Sequence, residues 1–129
     1  TAHILGMPMG YVRSGSKDHG RQNQIEGRLL PGQKVVVVED LISTGGSVLE
    51  VVDVLRQAGA QVLGIASIFT YGLQKGVERL AAADVVNYSL SDFDTLSKVA
   101  AAEGYIADKD IAKLTAFQKN PQDPAWMEL

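Results

Sequence analysis

The feature that most constrains the fold of this chain is a run of four consecutive valines, residues 35–38. β-branched apolar side chains that follow one another without alternation are typical of a strand buried on both faces, as in the centre of a parallel sheet. Two acids, two apolar residues and a loop of hydroxyl residues and paired glycines follow at residues 39–47. A helical apolar periodicity begins at Val48, so the segment predicts strand, loop and helix start. In open α/β sheets, ligands bind at this junction.

The remainder of the chain repeats this alternation of strand and helix patterns. Such an order predicts parallel strands joined by right-handed crossovers, with helices flanking the sheet. With 129 residues, 46% of them hydrophobic, we expect one α/β domain, residues 1–129, with an open, mainly parallel sheet. The predicted elements are a helical turn at 1–6, strands at 9–13, 34–38, 61–71 and 84–89, and helices at 46–58, 74–83, 91–104 and 108–119.

A polar segment, residues 14–27, separates the first two strand patterns and contains three glycines. A loop of this length inside a domain is typically a functional lid or a disordered segment, so we predict that it is mobile. From residue 13 to residue 28, four basic side chains stand against two acidic ones, although the whole chain carries a net charge of −3. This local excess favours an anionic ligand, and a solvated loop is the alternative.

Composition excludes several classes of function. The net charge of −3 argues against a nucleic-acid partner, and the absence of cysteine excludes disulfides and thiolate metal sites. The sequence contains no apolar run of membrane-spanning length and no recognisable leader. We therefore expect a cytoplasmic protein with neither a nucleic-acid nor a membrane partner.

The loop at residues 43–47, which we call the phosphate cradle, combines hydroxyl side chains with paired glycines. Backbone N–H groups at a helix start are unpaired and the helix dipole is positive there, so the cradle favours a phosphate. No lysine precedes the hydroxyl, as the P-loop of triphosphate-binding proteins requires, and no GxGxxG fingerprint is present. The sequence predicts a phosphorylated ligand other than a P-loop triphosphate.

Two adjacent carboxylates, Glu39 and Asp40, precede the cradle and would repel a phosphate that they faced. Consecutive residues of a strand point in opposite directions, so one acid would address the ligand and the other a neighbouring strand or a lysine. A ribose diol below a 5′-phosphate fits this arrangement. A structural acid pair that caps the loop is the alternative.

Residues 35–47 resemble the phosphoribosyl-pyrophosphate motif of type I phosphoribosyltransferases in the order of apolar strand, acids, apolar pair and hydroxyl-glycine loop. A second resemblance, to the catalytic loop of the orotate-specific members, rests on three segments: Tyr11-Val12-Arg13, Lys17-Asp18-His19-Gly20 and Gln24-Ile25-Glu26-Gly27. It extends from Thr1 to the C-terminal tail. The fold that it implies is a type I phosphoribosyltransferase-like core.

The resemblance implies transfer of ribose-5-phosphate from 5-phosphoribosyl 1-pyrophosphate (PRPP) to orotate, giving orotidine 5′-monophosphate and pyrophosphate in de novo UMP synthesis. Magnesium (Mg²⁺) would be required and held through the ligand, with no protein metal site. Family members are homodimers whose mobile loop reaches the neighbouring active site, and we expect the same here. A purine phosphoribosyltransferase and a non-catalytic PRPP-binding regulator are the rival interpretations.

Position in the family motifs also implies residue roles. Pyrophosphate would contact Arg13, Lys17 and His19, with Lys17 neutralising charge or donating a proton as it leaves. The 5′-phosphate would bind residues 44–47, and Ser43 would also touch orotate. The implied catalytic residues are Lys17, His19 and Asp40. The implied PRPP-binding residues are Arg13, Lys17, His19, Glu39, Asp40, Leu41, Ile42, Ser43, Thr44, Gly45, Gly46 and Ser47.

The chain also departs from the family pattern. Ser14 stands where many members carry a further basic residue, so pyrophosphate binding would depend more on the other cations of the loop. Residues 69–75 lack the arginine that pairs with the orotate carboxylate in some members, which leaves backbone amides, Ser43, Lys75 or parts outside this segment. The family's amino-terminal hood and pyrophosphate-binding loop are not recognised, so we expect a partial active site.

Overall fold

A computed structural model describes residues 1–13 and 24–129 of the chain. The described residues form short helices, a small hairpin and a larger sheet. In chain order the elements are α1 (Ala2–Leu5), β1 (Tyr11–Val12), β2 (Ile25–Glu26), β3 (Lys34–Ile42), α2 (Gly46–Gln57), β4 (Gln61–Thr70), α3 (Gln74–Ala82), β5 (Asn87–Asp92), α4 (Phe93–Ala102), α5 (Asp110–Lys119) and a terminal 3₁₀ helix (Pro124–Glu128).

The larger sheet has three parallel strands in the order β3-β4-β5. Ile42 pairs with Thr70 and Thr70 pairs with Asp92, so the carboxyl ends of all three strands lie in one row. The segments after β3 and after β4 therefore begin side by side. This confirms the predicted α/β class and parallel pairing, and it defines the edge where a ligand site is expected.

The hydrophobic core lies between one face of this sheet and α2, with Leu80 of α3 packed against it. Its buried members are Val37, Ile42, Val48, Val52, Ile65 and Val85. The prediction that the valine run is buried on both faces is wrong for this structure, because Val36 and Val38 are 54% and 59% exposed. Other exposed apolar side chains on the same open face are Ile68, Tyr88 and Leu90.

Two predicted boundaries shift because of local backbone chemistry. Strand β5 begins at Asn87 instead of residue 84, since Asp84 takes a left-handed φ of 50° after α3 and Val85 enters the core. Helix α4 begins at Phe93 instead of residue 91, because the Asp92 carboxylate caps it by accepting the Thr95 N–H at 2.8 Å. This hydrogen bond also lowers the pKa of Asp92.

The amino-terminal region holds a second, two-stranded sheet. Strand β1 pairs antiparallel with β2, and the Arg13 N–H donates to the Gln24 carbonyl at 2.8 Å. Part of the predicted mobile loop, 14–27, is therefore strand. The predictions for Ser14, Lys17 and His19 lie outside the described residues.

The C-terminal elements join the sheet edge through a chain of aromatic rings. Successive ring centroids are 5.3 to 6.0 Å apart. The rings are Phe69, Tyr71, Phe93, Phe117 and Trp126. Trp126 therefore packs against the chain's own C-terminal helix through Phe117.

Two other aromatic side chains, Tyr88 and Tyr105, are 73% and 80% exposed. Pro124 begins the terminal 3₁₀ helix, whose first turn tolerates a residue without an N–H. Over the described part of the chain, no helix combines the length and apolar character needed to span a bilayer.

Candidate active site

The phosphate cradle connects β3 to α2 as the sequence predicts. Gly45, with φ 76° and ψ 0°, is the residue before the first turn of α2, a backbone conformation that favours glycine. No side chain caps this helix start, and its first turn carries no acidic residue. Side chains therefore neither occupy its N–H groups nor oppose an anion there, and the helix start can bind a phosphate.

Helix α3 packs closely against the cradle. A Cβ atom added to Gly76 would lie 2.6 Å from the Ser43 carbonyl oxygen, and one added to Gly45 would lie 3.8 Å from the Gly76 carbonyl oxygen. One turn further along, Arg79 Nη1 donates a hydrogen bond to the Thr44 carbonyl at 3.3 Å. Sequence analysis missed both α3 residues, although a glycine in a predicted helix signals close backbone approach.

The acid pair at the end of β3 divides between the two faces of the sheet. Glu39 is half-buried on the face of Val37 and lies in register with Ser67, whereas Asp40 is exposed on the open face. Glu39 Oε1 accepts the Asp40 N–H at 3.0 Å, and Asp40 Oδ1 accepts the Leu41 N–H at 2.7 Å. Asp40 is thus accessible to a ligand hydroxyl, while the carboxylate of Glu39 folds back onto the Asp40 backbone.

Burial raises the pKa of Glu39 above its ordinary value, and the neighbouring Asp40 carboxylate reinforces this shift. Ionising Glu39 places two negative charges side by side at the edge of the site. A bound group that supplies hydroxyl donors or positive charge would relieve this cost. The pair therefore fits a diol or a ligand-borne cation better than it fits a phosphate.

Replacing Glu39 by glutamine is expected to raise Tm at neutral pH, because the substitution removes a partly desolvated charge and keeps an oxygen acceptor for the Asp40 N–H. A carboxyl whose pKa is raised by folding has its favourable contribution below its unfolded pKa and loses it as pH rises through the folded pKa. The gain in Tm should therefore vanish at acidic pH. Thermal melts of the parent and the variant between about pH 4 and about pH 8 test this.

The matched control for this prediction is Glu50→Gln, at an exposed position on α2. We expect the control to leave Tm nearly unchanged across the same pH range, because exposed carboxylates contribute little to stability. A Glu39→Gln gain that is constant with pH, or a loss of Tm at neutral pH, would contradict the assignment.

The loop after β4 lies beside the cradle at the carboxyl edge of the sheet. The Tyr71 N–H donates to the Ile42 carbonyl at 3.0 Å, and the Gly72 N–H donates to Thr70 Oγ1 at 3.2 Å. From α5, Gln118 Nε2 donates to the Tyr71 carbonyl at 2.9 Å. These contacts hold the start of this loop next to the last residue of β3, and sequence analysis missed the part played by Gln118.

Of the three residues predicted to contact pyrophosphate, Arg13 is the one within the described residues. Arg13 lies in the hairpin sheet with its Nε 3.2 Å from Glu26 Oε1, and both side chains are about half-exposed, at 53% and 46%. An anion at Arg13 would compete with Glu26 for this guanidinium. Residues 39–47 run without a break from the end of β3 into the start of α2, whereas Lys17 and His19 lie outside the described residues.

A metal ion has no dedicated cage in the part of the chain that is described. Over residues 1–13 and 24–129, no group of three or more His, Asp or Glu side chains is placed to hold one. Glu39 and Asp40 are adjacent oxygen donors, the class that Mg²⁺ prefers, and one or two carboxylates commonly suffice when substrate phosphates supply the other ligands. The residues present fit a magnesium ion carried mainly by a phosphorylated ligand.

Comparison with known proteins gives one consistent family. Residues 1–99 match the model of the phosphoribosyl transferase domain. The orotate phosphoribosyltransferase of Bacillus cytotoxicus is 58% identical over 123 residues, and that of Bacillus cereus is 57% identical over the same length. Each alignment covers 95% of this chain and 59% of the relative, so the chain spans less than two thirds of these relatives.

Solved structures agree with this result. The orotate phosphoribosyltransferase of Aeropyrum pernix superposes with a TM-score of 0.68 at 33% identity, covering 82% of this chain and 57% of that one. The Mycobacterium tuberculosis orotate phosphoribosyltransferase in complex with 5-phospho-alpha-D-ribosyl 1-diphosphate superposes with a TM-score of 0.57 at 28% identity, covering 67% of this chain and 48% of that one.

Proposed function

The chain belongs to the phosphoribosyltransferase family, and from this premise we propose that it transfers ribose-5-phosphate from PRPP to orotate. The products would be orotidine 5′-monophosphate and pyrophosphate, in de novo UMP synthesis. The observation that carries the proposal is the uncapped start of α2, which directly follows the Glu39-Asp40 pair at the carboxyl edge of the sheet. Identity of 57–58% to relatives named orotate phosphoribosyltransferase supports orotate as the base.

The proposed reaction breaks the bond between the anomeric carbon and the pyrophosphate oxygen, and the electron pair leaves with pyrophosphate. A bond forms from a ring nitrogen of orotate to the anomeric carbon, and that nitrogen loses its proton. Positive charge develops on the ribose ring while negative charge grows on the departing group. The cradle would fix the 5′-phosphate, and Asp40, exposed above it, would accept hydrogen bonds from the ribose hydroxyls.

The cationic residues of the second motif would act on the leaving group. In this proposal Lys17 and His19 stabilise or protonate the departing pyrophosphate, and Arg13 contacts it after exchanging its partner Glu26 for the ligand. Ser43 would reach toward orotate from the first position of the cradle. The hydrogen bonds at Tyr71 and Gly72 fix the loop after β4 next to Ile42 and engage the N–H groups of both residues, so the base would be recognised by other groups, among them Lys75.

We propose magnesium as the cofactor, bound chiefly through oxygen atoms of PRPP. The adjacent carboxylates of Glu39 and Asp40 are the described residues that would orient such a complex from the protein side. When bound, the ion would neutralise charge on the pyrophosphate. We further propose a cytoplasmic homodimer in which residues of the second motif act in the partner's site, as the family resemblance implies.

The test is magnesium-dependent loss of orotate absorbance when PRPP is added to the purified protein. Uracil, adenine, hypoxanthine and guanine serve as competing bases, and omission of magnesium serves as the blank. Turnover with orotate alone is expected. Turnover with a purine would instead identify a purine phosphoribosyltransferase. Tight PRPP binding without product from any base would be shared by a regulatory protein and by a partial active site of the transferase.

A further inference from the structure

Arg79 is a cation of α3 that no sequence motif identified, and its guanidinium lies against the phosphate cradle. Nη1 is 3.3 Å from the Thr44 carbonyl oxygen, to which it donates a hydrogen bond. The same nitrogen is 3.6 Å from the position that a Cβ atom on Gly46 would occupy. The two contacts place this side chain at the turn from which α2 begins.

The Thr44 carbonyl shares its peptide unit with the N–H of Gly45. The peptide bonds of the described residues are trans, so this C=O and this N–H point in opposite directions. A donor that holds the carbonyl toward α3 therefore directs the Gly45 N–H away from α3. A charged donor also polarises the amide and makes its N–H a stronger partner for an anion.

This peptide unit needs an external constraint because of its sequence. Gly45 has φ 76°, and with glycine at both 45 and 46 the backbone can rotate more freely than it could with other residues. No side-chain cap fixes the helix start. Gly76, Arg79 and Leu80 of α3 lie against this peptide unit, and of these described residues only Arg79 donates a hydrogen bond to its carbonyl.

We propose that Arg79 is a positioning residue for phosphate binding: it orients the peptide between Thr44 and Gly45 so that the Gly45 N–H faces the 5′-phosphate of PRPP. The identity of the ligand rests on the proposed function. The competing explanation is that Arg79 supplies only long-range positive charge, which for an exposed side chain is weak and disappears at high salt.

The experiment compares Arg79→Met with Arg56→Met. Arg56 is also an exposed arginine that donates to backbone carbonyls, those of Ala83 at 2.7 Å and Asp84 at 2.9 Å, but it belongs to the other end of α2. Each variant loses one positive charge; Arg56→Met loses two hydrogen bonds to backbone carbonyls and Arg79→Met loses the one to Thr44. Titration calorimetry with ribose 5-phosphate then isolates the cradle from the base and pyrophosphate sites.

We expect Arg79→Met to weaken ribose 5-phosphate binding by about tenfold, which corresponds to the loss of one charge-assisted hydrogen bond. The weakening should remain at high salt. Arg56→Met should change the affinity by less than about twofold. Arg79→Lys, which keeps a charged donor, should recover part of the loss. In steady-state kinetics the KM for PRPP should rise while the KM for orotate stays unchanged.

The amide signal of Gly45 in NMR spectra reports the orientation of the peptide between Thr44 and Gly45. In Arg79→Met its ¹⁵N-¹H resonance should shift and its hydrogen exchange should accelerate, whereas Arg56→Met should leave both unchanged. Equal weakening in the two variants, or an unchanged Gly45 amide, would overturn the proposal. If Arg79→Met does not fold, Arg79→Ala, which also removes the donor, takes its place in the same comparison.

The result also separates this inference from the proposed function. A parent protein that binds neither ribose 5-phosphate nor PRPP would refute the proposed function and this inference with it. A parent that binds both, together with an Arg79→Met variant that binds equally well, would refute only the role of Arg79.

Discussion

Replacing Lys17 by alanine is expected to lower kcat by about two to three orders of magnitude, because a preorganised donor aimed at transition-state charge contributes about 3–4 kcal/mol. In the proposed reaction this charge gathers on the departing pyrophosphate, the group to which the resemblance to the family motif assigns Lys17. Since this interaction strengthens only as the bond breaks, kcat and kcat/KM should fall together. Steady-state assays of orotate consumption measure both.

The control for Lys17 is Arg28→Ala, which removes a neighbouring positive charge at an exposed position after β2. We expect it to change kcat by less than about threefold, as an exposed charge outside the motif should. A Lys17→Ala variant that retains turnover to within about fivefold would remove Lys17 from the catalytic set.

Lys17 also tests the shared active site. If it acts in the partner's site, mixing Lys17→Ala with Asp40→Asn produces heterodimers in which one site is intact and the other carries both substitutions. With random exchange of subunits, about a quarter of the parental activity should return. If the activity of the mixture stays at the level of the separate variants, Lys17 and Asp40 of one active site come from the same subunit.

The parts of the candidate site that could be predicted are those whose residues are consecutive in the sequence. The strand ending at Ile42, the acids and glycines after it and the helix starting at Gly46 follow one another without a gap, so the order alone predicts a phosphate-binding junction. Opposite orientation of Glu39 and Asp40 follows from the two-residue period of a strand. Burial does not follow in this way, because the exposure of Val36 and Val38 depends on what covers that face of the sheet.

The missed contacts depend on how distant elements fit together. Arg79 lies 35 residues from Thr44, and Gln118 lies 47 residues from Tyr71. Helical periodicity predicts that α3 and α5 exist, but it does not predict which of their turns meets a given loop. The displaced start of β5 has a similar cause, since the burial of Val85 determines where the chain can leave α3 and enter the sheet.

The largest expected effect within the described structure comes from Gly76→Ala, which should weaken ribose 5-phosphate and PRPP binding by about a hundredfold with little loss of stability. The added Cβ would lie 2.6 Å from the Ser43 carbonyl oxygen and 3.5 Å from the Thr44 carbonyl carbon. Both are backbone atoms, so no side-chain rotation removes the overlap, and either α3 or the cradle must move. Calorimetry with ribose 5-phosphate and the KM for PRPP report the effect.

Two opposing terms determine stability in this variant. Overpacking typically costs about 1–3 kcal/mol, while alanine is favoured over glycine inside a helix by about 1 kcal/mol. Their sum should lower Tm only slightly. The matched control is Glu78→Ala on the same helix, which removes only the exposed hydrogen bond from Gln74 at 2.8 Å and should leave phosphate affinity unchanged.

Phosphate binding should be lost without much loss of stability if the cradle, and not α3, moves to accommodate the added Cβ. Helix α3 is anchored in the core through Leu80, whereas Ser43 is exposed and the cradle contains two glycines. The cradle should therefore move, and a displacement of about 1 Å is enough to cost about a hundredfold when several donors must converge on one anion. A Gly76→Ala protein with parental phosphate affinity would show that α3 moves instead, and that the close approach at Gly76 does not set the geometry of the site.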